Sequence, residues 1–243
     1  MLLQLAVLLV LAIASEASPA AQNDATSSTA KASQAAKCAD VPTSTNEQYV
    51  HIHDVEGREL LCDTYTDGGK WTVVQLRTDG SQDFYLPWVD YERGFGNKTG
   101  EFWLGLSIMH HTMRTDRYEM RIDFNTSIGQ RLYAQYNNFT LANAVDNYRI
   151  HISGYKGTAG DYFLYGRQYY NLDGMAFSTY DRDNDKSAVN CVKDLYHGAW
   201  WHNSCTSINP NGDWKGYSPA QASWGFSTRF TYFDIKIRPW FPQ

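Results

Sequence analysis

Three aspartates alternate in the stretch FSTYDRDNDKSAVNC, at Asp181, Asp183 and Asp185, and Cys191 closes the run. Carboxylates this close repel one another unless a cation or a set of hydrogen-bond donors relieves them. Alternating acids on an irregular loop can turn two carboxylates toward one point. The carbonyls of Ser187 and Val189 can then complete a ring of hard oxygens. Calcium asks for such a ring, six to eight oxygens at about 2.3–2.6 Å with water filling the remainder. The pattern is not an EF-hand. Counted from Asp183, the sixth position holds Ala188 where that loop needs glycine, and the twelfth holds Asp194 where it needs glutamate. A solvated acidic loop is the alternative, and spacing alone leaves both open.

Catalytic constellations are scarce. Paired carboxylates could serve a glycoside hydrolase, but a cation loop explains this cluster better. The chain contains no G-x-S-x-G, no H-E-x-x-H and no G-x-x-x-x-G-K-[ST]. His51 and His53 place two imidazoles on one strand face without a third ligand nearby. They read as surface or core residues, as do His110 and His111. Trp200 and Trp201 could stack on sugars, although core packing is the expected role. A binding protein is therefore expected, not an enzyme.

An acidic loop needs rigid elements to hold it. WTVVQLR (71–77) reads as a buried strand. RYEMRIDF (117–124) alternates, with Tyr118, Met120, Ile122 and Phe124 on one face, and DNYRIHIS repeats this with Tyr148, Ile150 and Ile152. YFDIKIRP points Phe233, Ile235 and Ile237 inward and Asp234, Lys236 and Arg238 outward. EFWLGLSIMHHTM spaces Phe102, Leu106, Met109 and Met113 as a helix. From about 154 to 228 the chain is rich in Gly, Asn, Asp and aromatics and lacks sustained periodicity. A long irregular segment in a compact domain is functional or tied down, here by a metal and a disulfide.

The four cysteines, Cys38, Cys62, Cys191 and Cys205, allow three pairings. The local pairs Cys38–Cys62 and Cys191–Cys205 are favoured, and neither spacing is a C-x-x-C metal or redox motif. The chain opens MLLQLAVLLVLAIASEASPA, an apolar run followed by small residues, so residues 1–17 are expected to be a signal peptide. Residues 18–37 lack large hydrophobes and read as a flexible linker rich in Ala, Ser and Thr. They carry no heptads and no collagen-like repeat, so self-association would have to use the domain itself. Residues 38–243 form one expected domain. Three N-x-[ST] sequons, at Asn97, Asn125 and Asn138, suit a secreted glycoprotein with surface asparagines. A net charge of -5 gives no footprint for nucleic acid or an anionic membrane, and no membrane span is expected. The 15% aromatic content suits either an aromatic core or a carbohydrate-binding face.

From Cys38 onward, several segments occur in a telling order. They are CDTYTDGGKWTVVQLRTDGSQDFYLPWVDYERGFGNKTGEFWLGL (62–106), YAQYNNF (133–139), GTAGD (157–161), FSTYDRDNDKSAVNC (177–191), GAWW (198–201), NPNGDW (209–214) and IKIRP (235–239). In this order the chain resembles the fibrinogen C-terminal domain, the module of ficolins, tachylectins, angiopoietins and fibrinogen chains. The resemblance implies an α+β fold with a twisted, mainly antiparallel sheet, a loop-rich calcium-binding lobe and local disulfides. It implies a calcium ligand set of the Asp183 and Asp185 side chains with the Ser187 and Val189 carbonyls, which leaves Asp181 either to support those ligands from behind or to hold the loop structurally. It further implies recognition of glycans or acetylated groups, in innate immunity, beside that calcium. Tyr196, Ser204, Cys205 and Thr206 fall at the pocket, with a cis peptide before Cys205. Two departures stand out. Thr206 replaces a pocket histidine, and Ala222 falls where a pocket tyrosine is expected, so His197 or His202 would have to supply a ring. The second reading is a module that binds extracellular proteins, in the manner of angiopoietins.

Overall fold

The computed structural model describes residues 37–43, 46–166, 169–225 and 228–241. The expected signal peptide and residues 18–36 of the expected linker lie outside the described residues.

Alternating apolar residues make a sheet whose main path runs β1 (Tyr49–His53), β2 (Glu59–Asp63), β3 (Trp71–Arg77), β10 (Thr228–Pro239), β6 (Tyr118–Thr126), β7 (Arg131–Leu141) and β8 (Ile150–Gly157). Short strands β4 (Phe95–Gly96), β5 (Phe102–Trp103) and β9 (Ser223–Trp224) pair at its margins. Every strand ladder among the described residues is antiparallel. Two short helices, α1 (Trp88–Arg93) and α2 (Leu106–Met113), complete an α+β architecture. The last strand inserts between β3 and β6, so the two ends of the domain close on one another.

Two expectations are corrected. The helical reading of 101–113 holds only from Leu106, because Phe102 belongs to β5 and pairs with Leu76. Gly105 makes the break at φ 110, and a Cβ there would meet the Arg93 carbonyl oxygen at 2.7 Å. In β10, Phe233, Ile235 and Ile237 are buried as expected, but Asp234 and Lys236 are not outward. Both are 0% exposed. Lys236 Nζ donates to Asp63 and to Asp234, each at 2.9 Å, and lies 3.2 Å from Asp123. The Tyr232 hydroxyl donates to Asp234 at 2.7 Å and shares a short hydrogen bond with Tyr49. A charge network thus closes the face that alternation assigns to solvent. Arg238 is only partly buried, bonding Glu119 at 2.7 Å with its guanidinium over the Trp71 ring.

Beyond β8 the chain is irregular, as expected, except for a π-helical turn at Cys191–Tyr196 and β9. Both local disulfides form, Cys38–Cys62 and Cys191–Cys205. Trp200 and Trp201 are buried, and Trp201 packs on Phe177 and Trp103. They serve the core. Buried amides tie the loops together. Asn209 Nδ2 donates to the carbonyls of Tyr196 and Ala220, and Asn211 Nδ2 to Ala199. Such groups satisfy backbone oxygens that no ladder reaches.

Candidate ligand-recognition site

The acidic loop divides its aspartates by role. Asp181 Oδ1 accepts from the Trp88 backbone N–H at 2.9 Å and from the Thr179 hydroxyl at 2.6 Å. It fixes the start of α1 to the lobe, the structural one of the two parts expected of it. Asp185 accepts from Ser187 N–H at 2.8 Å and Cys191 N–H at 2.9 Å, one to each oxygen. Asp183 accepts from the Asp185 N–H at 3.1 Å. Burial pushes the Asp185 carboxyl up to about 6; the two N–H groups oppose this, and the adjacent Asp183 carboxyl adds to the rise. The ion pairs among the described residues involve neither Asp183 nor Asp185. Two carboxylates crowded together without a cationic side chain suit a hard divalent cation. Among the described residues no group of three or more His, Cys, Asp or Glu could hold a metal. A hard cation at Asp183 and Asp185 would need oxygens beyond those two side chains.

The loop is tied to the predicted pocket. Lys186 N–H donates to the Asn203 carbonyl at 2.9 Å, and the Cys191–Cys205 disulfide joins the loop's far end to the same segment. The Ser204–Cys205 peptide is cis. Ser204 N–H donates to Tyr169 O at 3.1 Å, and Cys205 O accepts from Asn203 N–H at 2.7 Å.

Tyr196 and Thr206 meet at a cavity of about 140 Å³ that Ser207, Asn209, Pro219 and Ser223 also line. The half-buried Tyr196 reaches the Thr206 carbonyl with its hydroxyl at 3.4 Å. The Thr206 hydroxyl turns inward instead, donating to Ile208 O at 2.8 Å. Ala222 is buried and its N–H bonds Asp213 O. Of the two histidines, His202 is the ring beside Tyr196, with centroids 5.7 Å apart. It is fully buried, its Nε2 bonds Gly198 O at 2.8 Å, and burial pushes it down to about 4. This imidazole stays neutral through the physiological range, with the proton on Nε2. His197 is exposed and faces Tyr85.

Four other histidines have ordinary partners, among them His151, which pairs with Asp173. His51 pairs with Glu59, His111 with Glu56, and His110 Nδ1 with Leu141 O. Sequence reading missed Arg77 and Glu101. The Glu101 carboxylate accepts four backbone N–H groups, from Thr78, Asp79, Gly80 and Gln82. Arg77 spans 133 residues to bond Pro210 O. A charge at the end of an apolar strand and a glutamate before FWLG were the available signals. Neither names its partners.

An antiparallel sheet with an inserted last strand and a disulfide-pinned loop lobe defines a fibrinogen-like globe. The chain belongs to the family of fibrinogen beta and gamma chains, C-terminal globular domain, whose model matches residues 33–239. It is 37% identical over 187 residues to fibrinogen-like protein A of Apostichopus parvimensis, covering 74% of this chain and 64% of that protein. It is 41% identical over 203 residues to fibrinogen C domain-containing protein 1 of Xenopus tropicalis, covering 77% of this chain and 42% of that one. The chain thus spans less than two thirds of the length of these curated relatives. Tenascin-R of Homo sapiens is 37% identical over 75% of this chain, which spans 13% of it. Among solved structures, the fibrinogen-like globe domain of human ANGPTL6 superposes with a TM-score of 0.76 at 30% identity, covering 84% of this chain and 94% of that one. The lamprey fibrin D-dimer complexed with the peptide Gly-His-Arg-Pro-amide gives 0.73 at 28% identity, covering 86% and 74%.

Proposed function

We propose that this protein is a secreted, calcium-dependent recognition module that binds glycans or acetylated groups in innate immunity. One observation carries the reading. The acidic loop and the pocket segment are a single mechanical unit, joined by the Lys186–Asn203 bond, the Asp185–Cys191 bond and the Cys191–Cys205 disulfide. A calcium ion held by Asp183, Asp185 and the carbonyls of Ser187 and Val189 would supply charge neutralisation and order, without chemistry on the ligand. The chain's own residues do the binding. Tyr196 offers a ring face, and its neighbour His202 stays uncharged behind it. Asn97, Asn125 and Asn138 all retain some exposure and serve in this reading as glycan acceptors. No helix among the described residues is long and apolar enough to cross a membrane.

A second reading, a module for an extracellular protein or peptide, has its own support. The Thr206 hydroxyl is committed to Ile208 O, and Tyr165, Tyr169 and Tyr217 are exposed in the same lobe. A glycan array probed with and without calcium tests the first reading: retention of acetylated glycans only with calcium is expected. Retention of none contradicts it. Capture of an extracellular protein that acetylated sugars do not displace selects the second.

A further inference from the structure

A second cleft shares no lining residue with the Tyr196 cavity. It measures about 430 Å³, within the range of about 300–1,000 Å³ typical of small-ligand sites. One wall is the loop at 80–85 and the other is the turn at 211–215.

Both walls are rigid. Glu101 holds the first by four backbone N–H groups at 2.7 to 3.1 Å. Gly80 sits so close to Trp214 that a Cβ there would lie 2.8 Å from its side chain. Between the walls, the Arg77 guanidinium stacks 4.1 Å from the Phe84 ring and 5.0 Å from Trp214, and it donates to Gly212 O at 2.6 Å. Because the walls are fixed before any ligand arrives, little ordering cost falls on binding.

The lining selects by charge. Arg77 and Lys215 supply two cations, and Asp83 and Asp213 two carboxylates. An anion meets the carboxylates and a cation meets the guanidinium and ammonium, while a neutral polyol is opposed by neither. Asp83 and Asp213 each commit one oxygen to a backbone N–H, of Tyr85 and Lys215, which leaves the other as an acceptor. Gln82 and Ser81 add amide and hydroxyl groups. At the rim, Tyr85 is 39% exposed and packs 5.1 Å from the exposed His197 and 4.8 Å from Tyr180. Flat rings beside a lining that holds paired acceptors suit the C–H face and hydroxyl edge of a pyranose.

We propose that this cleft is a second binding site, for a neutral, non-acetylated saccharide. It stands apart from the Tyr196 cavity and does not depend on calcium at the acidic loop.

The test uses the full chain and follows the Trp214 indole N–H in ¹H–¹⁵N spectra. Maltotriose, cellotriose, laminaritriose and mannotriose are titrated to about 10 mM, which covers a Kd near 1 mM. At least one is expected to move the indole signal saturably. Tyr85→Ala should weaken that titration about tenfold, and Ser81→Trp, which fills the cleft from an exposed position, should abolish it. Tyr196→Ala should leave it unchanged, as should chelation of calcium. Silence with all four trisaccharides overturns the proposal. So does a wild-type titration in Ser81→Trp with an unchanged melting temperature, or loss of the titration in Tyr196→Ala. A response to acetate or to lysine methyl ester alone would make the cleft a charged-ligand site and equally overturn it.

Discussion

His202 and Asp185 sit in one lobe and give it opposite dependences on pH. Burial holds the folded His202 at about 4, against about 6.5 for a free imidazole. Between these values the unfolded chain binds the proton and the folded chain does not. His202 therefore costs stability as pH falls from about 6.5 to about 4. The folded Asp185, pushed up to about 6, binds its proton first, so in the absence of metal it adds stability as pH falls through the same window. His202→Gln, which keeps a donor toward Gly198, should remove only the histidine's part. Urea melts in calcium-free buffer should show a less steep loss of stability toward acid for the variant than for wild type. Equal slopes would place the acid sensitivity elsewhere. Neither shift was legible in the sequence, since each depends on burial that only the folded loops create. The acids themselves were legible, because alternation and proximity to Cys191 mark them out. So was a structural part for Asp181, as one of two, although its partner Trp88 lies 93 residues away.

At the scale of elements, β10 shows where periodicity succeeds and where it stops. The alternation of Phe233, Ile235 and Ile237 predicts one buried face correctly. The other face is buried as well, because Asp63 from β2, Asp123 from β6 and Asp234 from β10 itself converge on Lys236. A lone strand cannot reveal that its charged residues will meet partners 173 positions away. In the folded state these carboxylates hold the Lys236 ammonium protonated well above its ordinary range, against the opposing effect of burial. Removing the cation leaves buried carboxylates unpaired, which costs about 3–5 kcal/mol. Lys236→Met is expected to lower stability by that amount in denaturant melts. A loss under about 1 kcal/mol would mean that the network contributes little beyond packing. The helix at 106–113 repeats the lesson more mildly. Its apolar spacing extends back to Phe102, but Gly105 breaks the backbone there and frees β5 to pair with β3.

The whole molecule couples a regular sheet to an irregular lobe, and the proposed recognition is assigned to the lobe. Fold class and both disulfides were legible, the latter because the local pairs were favoured among three. What the pocket presents was less so. Thr206 and Ala222 could be seen as departures, but the inward turn of the Thr206 hydroxyl and the placing of His202 behind Tyr196 arise from loop packing without any period. The same holds for the cleft beside Arg77, whose two walls lie more than 120 positions apart in the chain. The claim that unites the lobe is that a calcium ion at Asp183 and Asp185 braces the pocket segment through Cys191 and Asn203. An ion that binds the folded form alone raises the melting temperature by mass action, and below about pH 6 the rise should shrink as Asp185 takes up its proton. The most direct measurement is the melting temperature of wild type and of Asp183→Ala/Asp185→Ala across a calcium titration at neutral pH. A saturable rise in wild type and none in the double variant is the predicted result. An equal rise in both proteins would contradict the assignment.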